Sequence, residues 1–194
     1  MSEVAVIILA AGLGTRFGAK PKALATLHGR PLIRHVVDAA LASLARDVSV
    51  VLGHRGPEIA QALRGLPIRH ILNPDYATGL ASSLRAGFAA LSAGARGAII
   101  MLADMPGVTA ATVDVLIEAW RAAGEPIAVV PVHGGRRGNP VLLSLALEGE
   151  IAALRGDQGA GPILRGRAGV LEVDCDDPAI LADIDTPDAL RSLN

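Results

Sequence analysis

Aromatic side chains are scarce in this 194-residue sequence: they make up 2% of it, whereas hydrophobic residues as a class make up 51%. A core with so few rings must be packed from Ala, Val, Leu and Ile, a composition that suits buried parallel strands covered by alanine-rich helices. The length allows one sizeable core and requires no second one. We therefore expect a single domain spanning residues 1–194.

The sequence also has no excess of positive charge and only one cysteine. The net charge is −1, so there is no surplus of Lys and Arg to displace counterions from a nucleic acid, and we expect no nucleic-acid partner. The single cysteine, Cys175, excludes an internal disulfide and favours a reducing compartment. The first apolar run, residues 4–11, follows Glu3 rather than basic residues and is too short for a membrane span of about 20 residues. We expect a cytoplasmic protein with no membrane partner.

Apolar runs alternate with amphipathic segments through the first two thirds of the chain. Strands are predicted at residues 4–9, 48–52, 68–72, 97–102 and 126–132, and helices at residues 31–44, 57–63, 80–91 and after Thr109 or Thr112. Short connections between such elements predict right-handed crossovers that place helices on both faces of the sheet. The expected fold class is therefore α/β, a three-layer Rossmann-like fold with a mainly parallel sheet. Beyond Val132 the pattern loosens into glycine-rich turns and short strands.

A glycine-rich loop with three cations, LAAGLGTRFGAKPK from Leu9 to Lys22, follows the first strand. Its spacing fits neither the Walker loop nor the dinucleotide fingerprint, which is one residue shorter than the segment from Gly12 to Gly18. The remaining interpretation is a loop whose backbone N–H groups and cations hold a triphosphate, with Arg16 and Lys22 as the contacts. The alternative is a plain turn with solvated cations.

This loop resembles the signature Leu-Ala-Ala-Gly-x-Gly-x-Arg-x-Gly-x-x-Pro-Lys of nucleotidyltransferases with a GT-A-like Rossmann fold. Further segments follow in the order found in the molybdenum cofactor cytidylyltransferases: Asn73 to Gly87, Leu102-Ala103-Asp104-Met105-Pro106, Gly138 to Leu143, Gly156 to Ala160, and Asp183 to Asp188. The chain thus resembles that group of the MobA-like NTP transferases over nearly its whole length, from Val4 to Leu190.

The resemblance implies an activity, its substrates and its cofactor. It implies transfer of a cytidylyl group from CTP to the terminal phosphate of molybdopterin carrying its metal, with release of pyrophosphate and with Mg²⁺ as cofactor. The partners implied are CTP, the molybdopterin-type acceptor, and a molybdoenzyme or its chaperone as recipient. Residues 1–110 would form the nucleotide-binding half and residues 111–194 the acceptor-binding half. A phosphate monoester is largely ionised at neutral pH, so the reaction needs no general base.

The resemblance also assigns roles to individual residues. Arg16, Lys22 and Asp104 would be catalytic, and Asp104 and Asp185 would hold the metal, with Asp183 as the alternative to Asp185. The residues expected to bind the nucleotide are Leu9, Ala10, Ala11, Gly12, Gly14, Lys22, Asn73, Gly79 and Ser82. Guanylyl-transferring relatives carry glycine at the position of Ala11, so the methyl group there predicts selection of a pyrimidine over a purine.

Two positions depart from the family pattern in the part of the chain assigned to the acceptor. Many cytidylyltransferases of this group have histidine where Asn139 stands and arginine where Gly161 stands. Arg165 or Arg167 could replace the missing positive charge. Two other functions therefore stay open: nucleotidyl transfer to a sugar phosphate or another phosphorylated small acceptor, and a non-catalytic chaperone that binds nucleotide or cofactor.

Overall fold

A computed structural model of the chain describes residues 3–14, Phe17 and residues 21–193. The strands are β1 (Val4–Ala10), β2 (Thr26–Leu27), β3 (Arg30–Pro31), β4 (Val48–Leu52), β5 (Arg69–Leu72), β6 (Gly97–Leu102), β7 (Ala128–His133), β8 (Arg136–Arg137), β9 (Val141–Ser144) and β10 (Val170–Asp174). The helices are α1 (Leu32–Leu41), α2 (Gly56–Ala62), α3 (Leu80–Ala89), α4 (Ala110–Ala122), α5 (Glu148–Ala153), α6 (Gly161–Leu164) and α7 (Pro187–Arg191).

One mixed sheet of eight strands runs through the molecule. Its order is β10-β7-β9-β6-β1-β4-β5, and β8 pairs with β7. Neighbours are parallel except around β9, which is antiparallel to both β6 and β7, and in the β7–β8 pair. The prediction of a mainly parallel α/β sheet is confirmed.

Alternate residues of β1 enter two different hydrophobic cores, which makes the fold three-layered. Val6 and Ile8 belong to the core beneath α1, α2 and α4, whereas Ile7 and Leu9 belong to the core beneath α3 and α5. All seven residues of β1 are buried. A strand covered on both faces has this continuous apolar sequence because neither face meets water.

Proline at position 31 does not begin the first long helix, contrary to the prediction from its place before an apolar stripe. Arg30–Pro31 instead pairs with Thr26–Leu27 in a two-stranded hairpin, and helix α1 starts at Leu32. The connecting residues, His28 and Gly29, both have positive φ, 49° and 76°, as a two-residue hairpin turn requires. No helix of the described residues is long and apolar enough to cross a membrane.

Candidate functional site

The principal cleft lies at the carboxyl ends of β1 and β6, near the middle of the sheet. The chain proceeds from β1 to β4 and β5 on one side, whereas β6 pairs with β1 on the other side. Diverging connections at such a point open a crevice, the usual ligand site of open α/β sheets. Here the cleft encloses about 830 Å³, and its lining includes the glycine loop after β1 and Asp104 after β6.

Three charged residues that are distant in the sequence meet in this cleft. The Lys22 Nζ lies 2.6 Å from Asp104 Oδ2 and 2.6 Å from Asp185 Oδ1. The Asp104 side chain is 25% exposed and that of Lys22 is 16% exposed. The ammonium group therefore bridges two carboxylates that lie 81 positions apart in the sequence.

The segment that carries Asp183 and Asp185 belongs to no strand of the sheet. The Ile184 N–H donates to the Asp104 carbonyl at 2.9 Å, and the Ile184 side chain is buried. Asp183 and Asp185 both line the cleft, so the buried Ile184 anchors the segment between them. Thr186 caps α7 by accepting a hydrogen bond from the Ala189 N–H, so Asp185 is not needed as the cap.

Asp104, Asp183 and Asp185 form a cluster whose chemistry suits a divalent cation. One carboxylate oxygen from each lies within 4.8 Å of the others. Among the described residues, the buried Asp104 Oδ1 has no hydrogen-bond partner, which is a costly arrangement unless another group binds there. Hard oxygen ligands are those that Mg²⁺ prefers, so these residues fit the expected metal.

Burial alone would lower the pKa of Lys22, but its hydrogen bonds to Asp104 and Asp185 and their negative charges outweigh that effect. The net result raises the pKa of Lys22 above its ordinary value. The side chain is therefore a cation at neutral pH. A positive charge held at this place can pair with phosphate oxygens as well as with carboxylates.

Most of the residues expected to bind the nucleotide line the cleft. They are Leu9, Ala10, Ala11, Gly12, Gly14, Lys22 and Gly79. Arg16 lies outside the described residues.

Asn73 and Ser82 do not line the cleft. Both are buried, 2% exposed, and the Asn73 side-chain amide donates to the Ser82 hydroxyl at 2.8 Å and to the Ser83 hydroxyl at 3.1 Å. Ser82 in turn donates to the Gly79 carbonyl. These two side chains tie the loop before α3 to the helix, and Ser83 lines the cleft instead.

Tyr76, Thr78 and Asp157 also line the cleft, and all three lie within the segments that resemble the family although none was assigned a role. Tyr76 packs against Gly53, where a Cβ would lie 2.5 Å from Tyr76 Cβ and 2.8 Å from Ala11 Cβ. Asp157 Oδ1 accepts a hydrogen bond from the Leu80 N–H at 3.3 Å. It thereby stabilises the N-terminus of α3, where a negative charge is favourable.

A second cavity of about 550 Å³ adjoins the cleft and shares Leu9, Leu80 and Leu102 with it. Its other apolar lining is aliphatic: Leu84, Ile100, Val130, Val141, Ala160 and Leu164. Arg137, Asn139 and Arg165 supply its polar side chains. Gly161, the other position that departs from the family pattern, also lines it.

The two arginines named as replacements for the missing charge have different positions. Arg165 lines the second cavity, whereas Arg167 pairs with Glu150. Arg137 reaches the cavity with its guanidinium held by Glu172, at 2.6 Å from Nε to Oε1. Two arginines thus line this cavity, Arg165 and Arg137, and the charge of Arg137 is paired with Glu172.

Comparison with known proteins identifies a family. The family model described as "MobA-like NTP transferase domain" matches residues 6–173 of the chain. The nicotine blue oxidoreductase of Paenarthrobacter nicotinovorans is 30% identical over 193 residues, covering 96% of this chain and 94% of that protein. The bifunctional protein GlmU of Sorangium cellulosum is 36% identical over 137 residues, which cover 66% of this chain but only 29% of GlmU.

Solved structures show the same fold over nearly the whole chain. A crystal structure of the Rv0371c homologue from Mycobacterium sp. strain JC1 is 29% identical, with a TM-score of 0.85 and coverage of 98% of this chain and 96% of that one. Rv0371c of Mycobacterium tuberculosis H37Rv in complex with manganese is 26% identical, with a TM-score of 0.81 and coverage of 98% and 97%.

Proposed function

This chain belongs to the MobA-like NTP transferase family, and on that basis we propose that it transfers a cytidylyl group from CTP to the terminal phosphate of a molybdopterin-type acceptor. The observation that carries this proposal is the meeting of Lys22, Asp104 and Asp185 beside the glycine loop. Pyrophosphate is the leaving group. The acceptor phosphate oxygen forms a bond to the α-phosphorus of CTP as the bond from that phosphorus to the bridging oxygen of pyrophosphate breaks.

The residues of the cleft perform two tasks in this reaction. The loop at Gly12–Gly14 presents backbone at the end of β1, where a triphosphate can approach closely. Lys22 offsets the charge that builds on the departing pyrophosphate, and Arg16 is proposed to assist it. Such fixed positive groups act mainly on the transition state, in which negative charge has moved onto the leaving group.

Asp104 and Asp185 are the proposed Mg²⁺ ligands, with Asp183 as the neighbouring alternative. When bound there, Mg²⁺ would draw phosphate oxygens together and stabilise their charge. The orphaned Asp104 Oδ1 and the three clustered carboxylates support this assignment. Manganese in a related crystal structure is consistent with a divalent cation in the family.

The second cavity is the proposed acceptor site. It lies in contact with the cleft, and much of its lining comes from beyond residue 110, including Val130, Arg137 and Arg165. We therefore assign nucleotide binding mainly to residues 1–110 and acceptor binding mainly to residues 111–194. The guanidinium groups of Arg137 and Arg165 suit a phosphorylated ligand.

Base selection is assigned to Ala11. Ala11 lines the cleft and is buried, and its methyl group lies beside Gly53, where a Cβ would be 2.8 Å from Ala11 Cβ. A smaller residue would widen the wall for a purine. We propose CTP as the preferred nucleotide on this ground. We also propose the cytoplasm as the site of the reaction, because a chain with a single cysteine shows no use of internal disulfides.

A different phosphorylated acceptor is the second candidate. The aliphatic lining of the second cavity favours a ligand with an apolar body, and Asn139 and Gly161 replace residues that many cytidylyltransferases carry. The activity would still be cytidylyl transfer. Only the molecule that receives the cytidylyl group would change.

Pyrophosphate release tests the proposal. The purified chain with CTP and Mg²⁺ should release pyrophosphate when metal-loaded molybdopterin is added, and Asp104→Asn should slow release about 100-fold or more. Glu118→Gln, an exposed change on α4, is the matched control and should leave the rate unchanged.

Substrate panels separate the remaining functions. Release with an alcohol phosphate that has an apolar body, or with a sugar phosphate, but not with molybdopterin would select the second candidate. No release with any acceptor, together with nucleotide-dependent thermal stabilisation, would indicate a binding protein. Consumption of NADH or NADPH without pyrophosphate release would contradict the proposal altogether, and the oxidoreductase relative makes that control necessary.

A further inference from the structure

The Lys22 ammonium lies where the proposed metal ligands converge. It is 2.6 Å from one oxygen of Asp104 and 2.6 Å from one oxygen of Asp185. We propose that Lys22 acts as a place-holding cation: it occupies the carboxylate site in the nucleotide-free protein and leaves it when a nucleoside triphosphate enters. The divalent cation and the nucleotide would then bind cooperatively, each raising the affinity for the other. This inference rests on the proposed function.

The two cations compete for the same carboxylates. Mg²⁺ binds carboxylate oxygens at about 2.0–2.1 Å, and the candidate oxygens of Asp104, Asp183 and Asp185 all lie within 4.8 Å of one another. A metal bound to an oxygen that Lys22 contacts would lie within about 5 Å of the present position of Lys22 Nζ, because that contact is 2.6 Å. Two like charges this close repel in a partly buried site. Binding of a metal by these carboxylates therefore favours withdrawal of the Lys22 ammonium.

The backbone of Lys22 is held in place, so only its side chain can withdraw. A Cβ on Gly14 would lie 3.0 Å from Lys22 Cβ and 3.3 Å from Lys22 N, which shows how closely the glycine loop packs on this residue. The next residue, Ala23, is buried in the main core. The flexible four-carbon stem of lysine allows the ammonium to turn while its Cα stays fixed.

A triphosphate bound in the cleft would offer the Lys22 ammonium an alternative anionic partner. Lys22 and the glycine loop at Gly12–Gly14 line the same cleft, so the ammonium can exchange carboxylate oxygens for phosphate oxygens without leaving it. Without the triphosphate, withdrawal loses two charge-assisted hydrogen bonds and gains none of equal strength. The nucleotide should thus raise the affinity for the metal, and by linkage the metal should raise the affinity for the nucleotide to the same extent.

Binding of Mn²⁺ to the nucleotide-free protein tests the proposal without measuring catalysis. The free ion is quantified by its electron paramagnetic resonance signal during titration of the wild type, Lys22→Met, Lys22→Arg and the double variant Lys22→Met/Asp104→Asn. Methionine keeps an unbranched side chain but removes the charge. Lys22→Met should bind Mn²⁺ at least about tenfold more tightly than the wild type, within the range of ordinary coupling.

The other variants identify the cause. Lys22→Arg retains the cation and should stay close to wild type, and the double variant should lose the gain because it lacks a carboxylate of the site. A folded Lys22→Met that binds Mn²⁺ no more tightly than wild type would overturn the proposal. So would a gain that survives in the double variant.

A measurement on the wild type covers the case in which Lys22→Met does not fold. The Lys22 side chain is observed by NMR through its ¹³Cε signal during titration with Mg²⁺ alone and then with Mg²⁺ and CTP. The signal should move only when CTP is present, and a complete shift with Mg²⁺ alone would contradict the exchange. Failure here leaves Asp104-dependent pyrophosphate release intact, whereas failure of the proposed function would abolish that release.

Discussion

Gly79 lies against the backbone of Gly156, so closely that a Cβ on Gly79 would overlap the Gly156 carbonyl group and lie 2.7 Å from the Asp157 nitrogen. The Ala81 N–H donates to the Gly156 carbonyl at 3.1 Å. This contact joins the segment before α3, which lines the cleft, to the loop from Gly156 to Gly161, which also lines the second cavity. The Gly79–Gly156 contact therefore fixes the cleft segment before α3 against the loop that reaches the second cavity.

Replacement of Gly79 by alanine should be strongly destabilising. The residue has φ 108° and ψ 177°, a region that is essentially restricted to glycine, and the added methyl would also displace the Gly156 loop. We expect a loss of about 2–4 kcal/mol in the free energy of unfolding, measured by urea denaturation. Gly149→Ala is the control, since nothing lies within 4 Å of a Cβ there and alanine favours helix α5. Equal stability of the two variants would contradict the role given to this contact.

Ala11→Gly should weaken the choice of base. Removing the methyl widens the wall near Tyr76, and the difference between cytosine and guanine binding should fall by about tenfold, the size of effect typical of small changes in a pocket. Thermal stabilisation by CTP and by GTP, each with Mg²⁺, measures this ratio. Ala90→Gly, at the end of α3, is a control for the general effect of adding glycine. A CTP preference that Ala11→Gly leaves unchanged would remove Ala11 from the specificity argument.

Arg165→Ala should raise the KM for the phosphorylated acceptor about tenfold while the KM for CTP stays nearly constant, because the lost guanidinium lies in the second cavity rather than in the cleft. Arg167→Ala is the matched control. It removes an equal charge two residues away, at a side chain paired with Glu150, and should change neither constant. If both variants raise the acceptor KM equally, the effect is one of overall charge and not of the cavity.

The thiol of Cys175 should react slowly with iodoacetamide at pH 8. Burial, and then the carboxylates of Asp177 and Asp174, raise the pKa of this thiol, so the reactive thiolate forms only at higher pH than in an exposed cysteine. The rate should rise with pH beyond the point at which a small-molecule thiol levels off. Asp174→Asn should increase the rate at pH 8 by about twofold, as expected for loss of one exposed charge. Asp176→Asn, an exposed neighbour, should have less effect.

The sequence predicted the buried centre of the sheet best. Val48–Leu52 and Gly97–Leu102 match the predicted strands residue for residue, because a strand covered on both faces has a mainly apolar sequence, interrupted here only by the buried Ser49 in Val48–Leu52. Strand β9 could not be placed in this way: its four residues owe their position to pairing with β6 and β7, which is a long-range property. The hairpin at residues 26–31 was missed because a proline before an apolar stripe also marks a helix start.

In the candidate site, too, local sequence motifs predicted some features, whereas long-range packing determines the others. The cleft position of Asp104 followed from its place at the end of a predicted strand, and the glycine loop from its motif. The burial of Asn73 could not be predicted, because an Asn-Pro pair alone indicates only a turn. Its true partners, Ser82 and Ser83, are set by how α3 packs beneath the cleft.

Among the residues that the structure describes, Leu9, Leu80 and Leu102 line both cavities, so the two cavities adjoin at these residues. If the cleft binds the nucleotide and the second cavity binds the acceptor, as proposed, a bisubstrate compound with a cytidine at one end and an anionic aliphatic group at the other would occupy both. Its second end would bind at a high effective concentration once the first is seated. The compound should therefore bind far more tightly than either fragment alone.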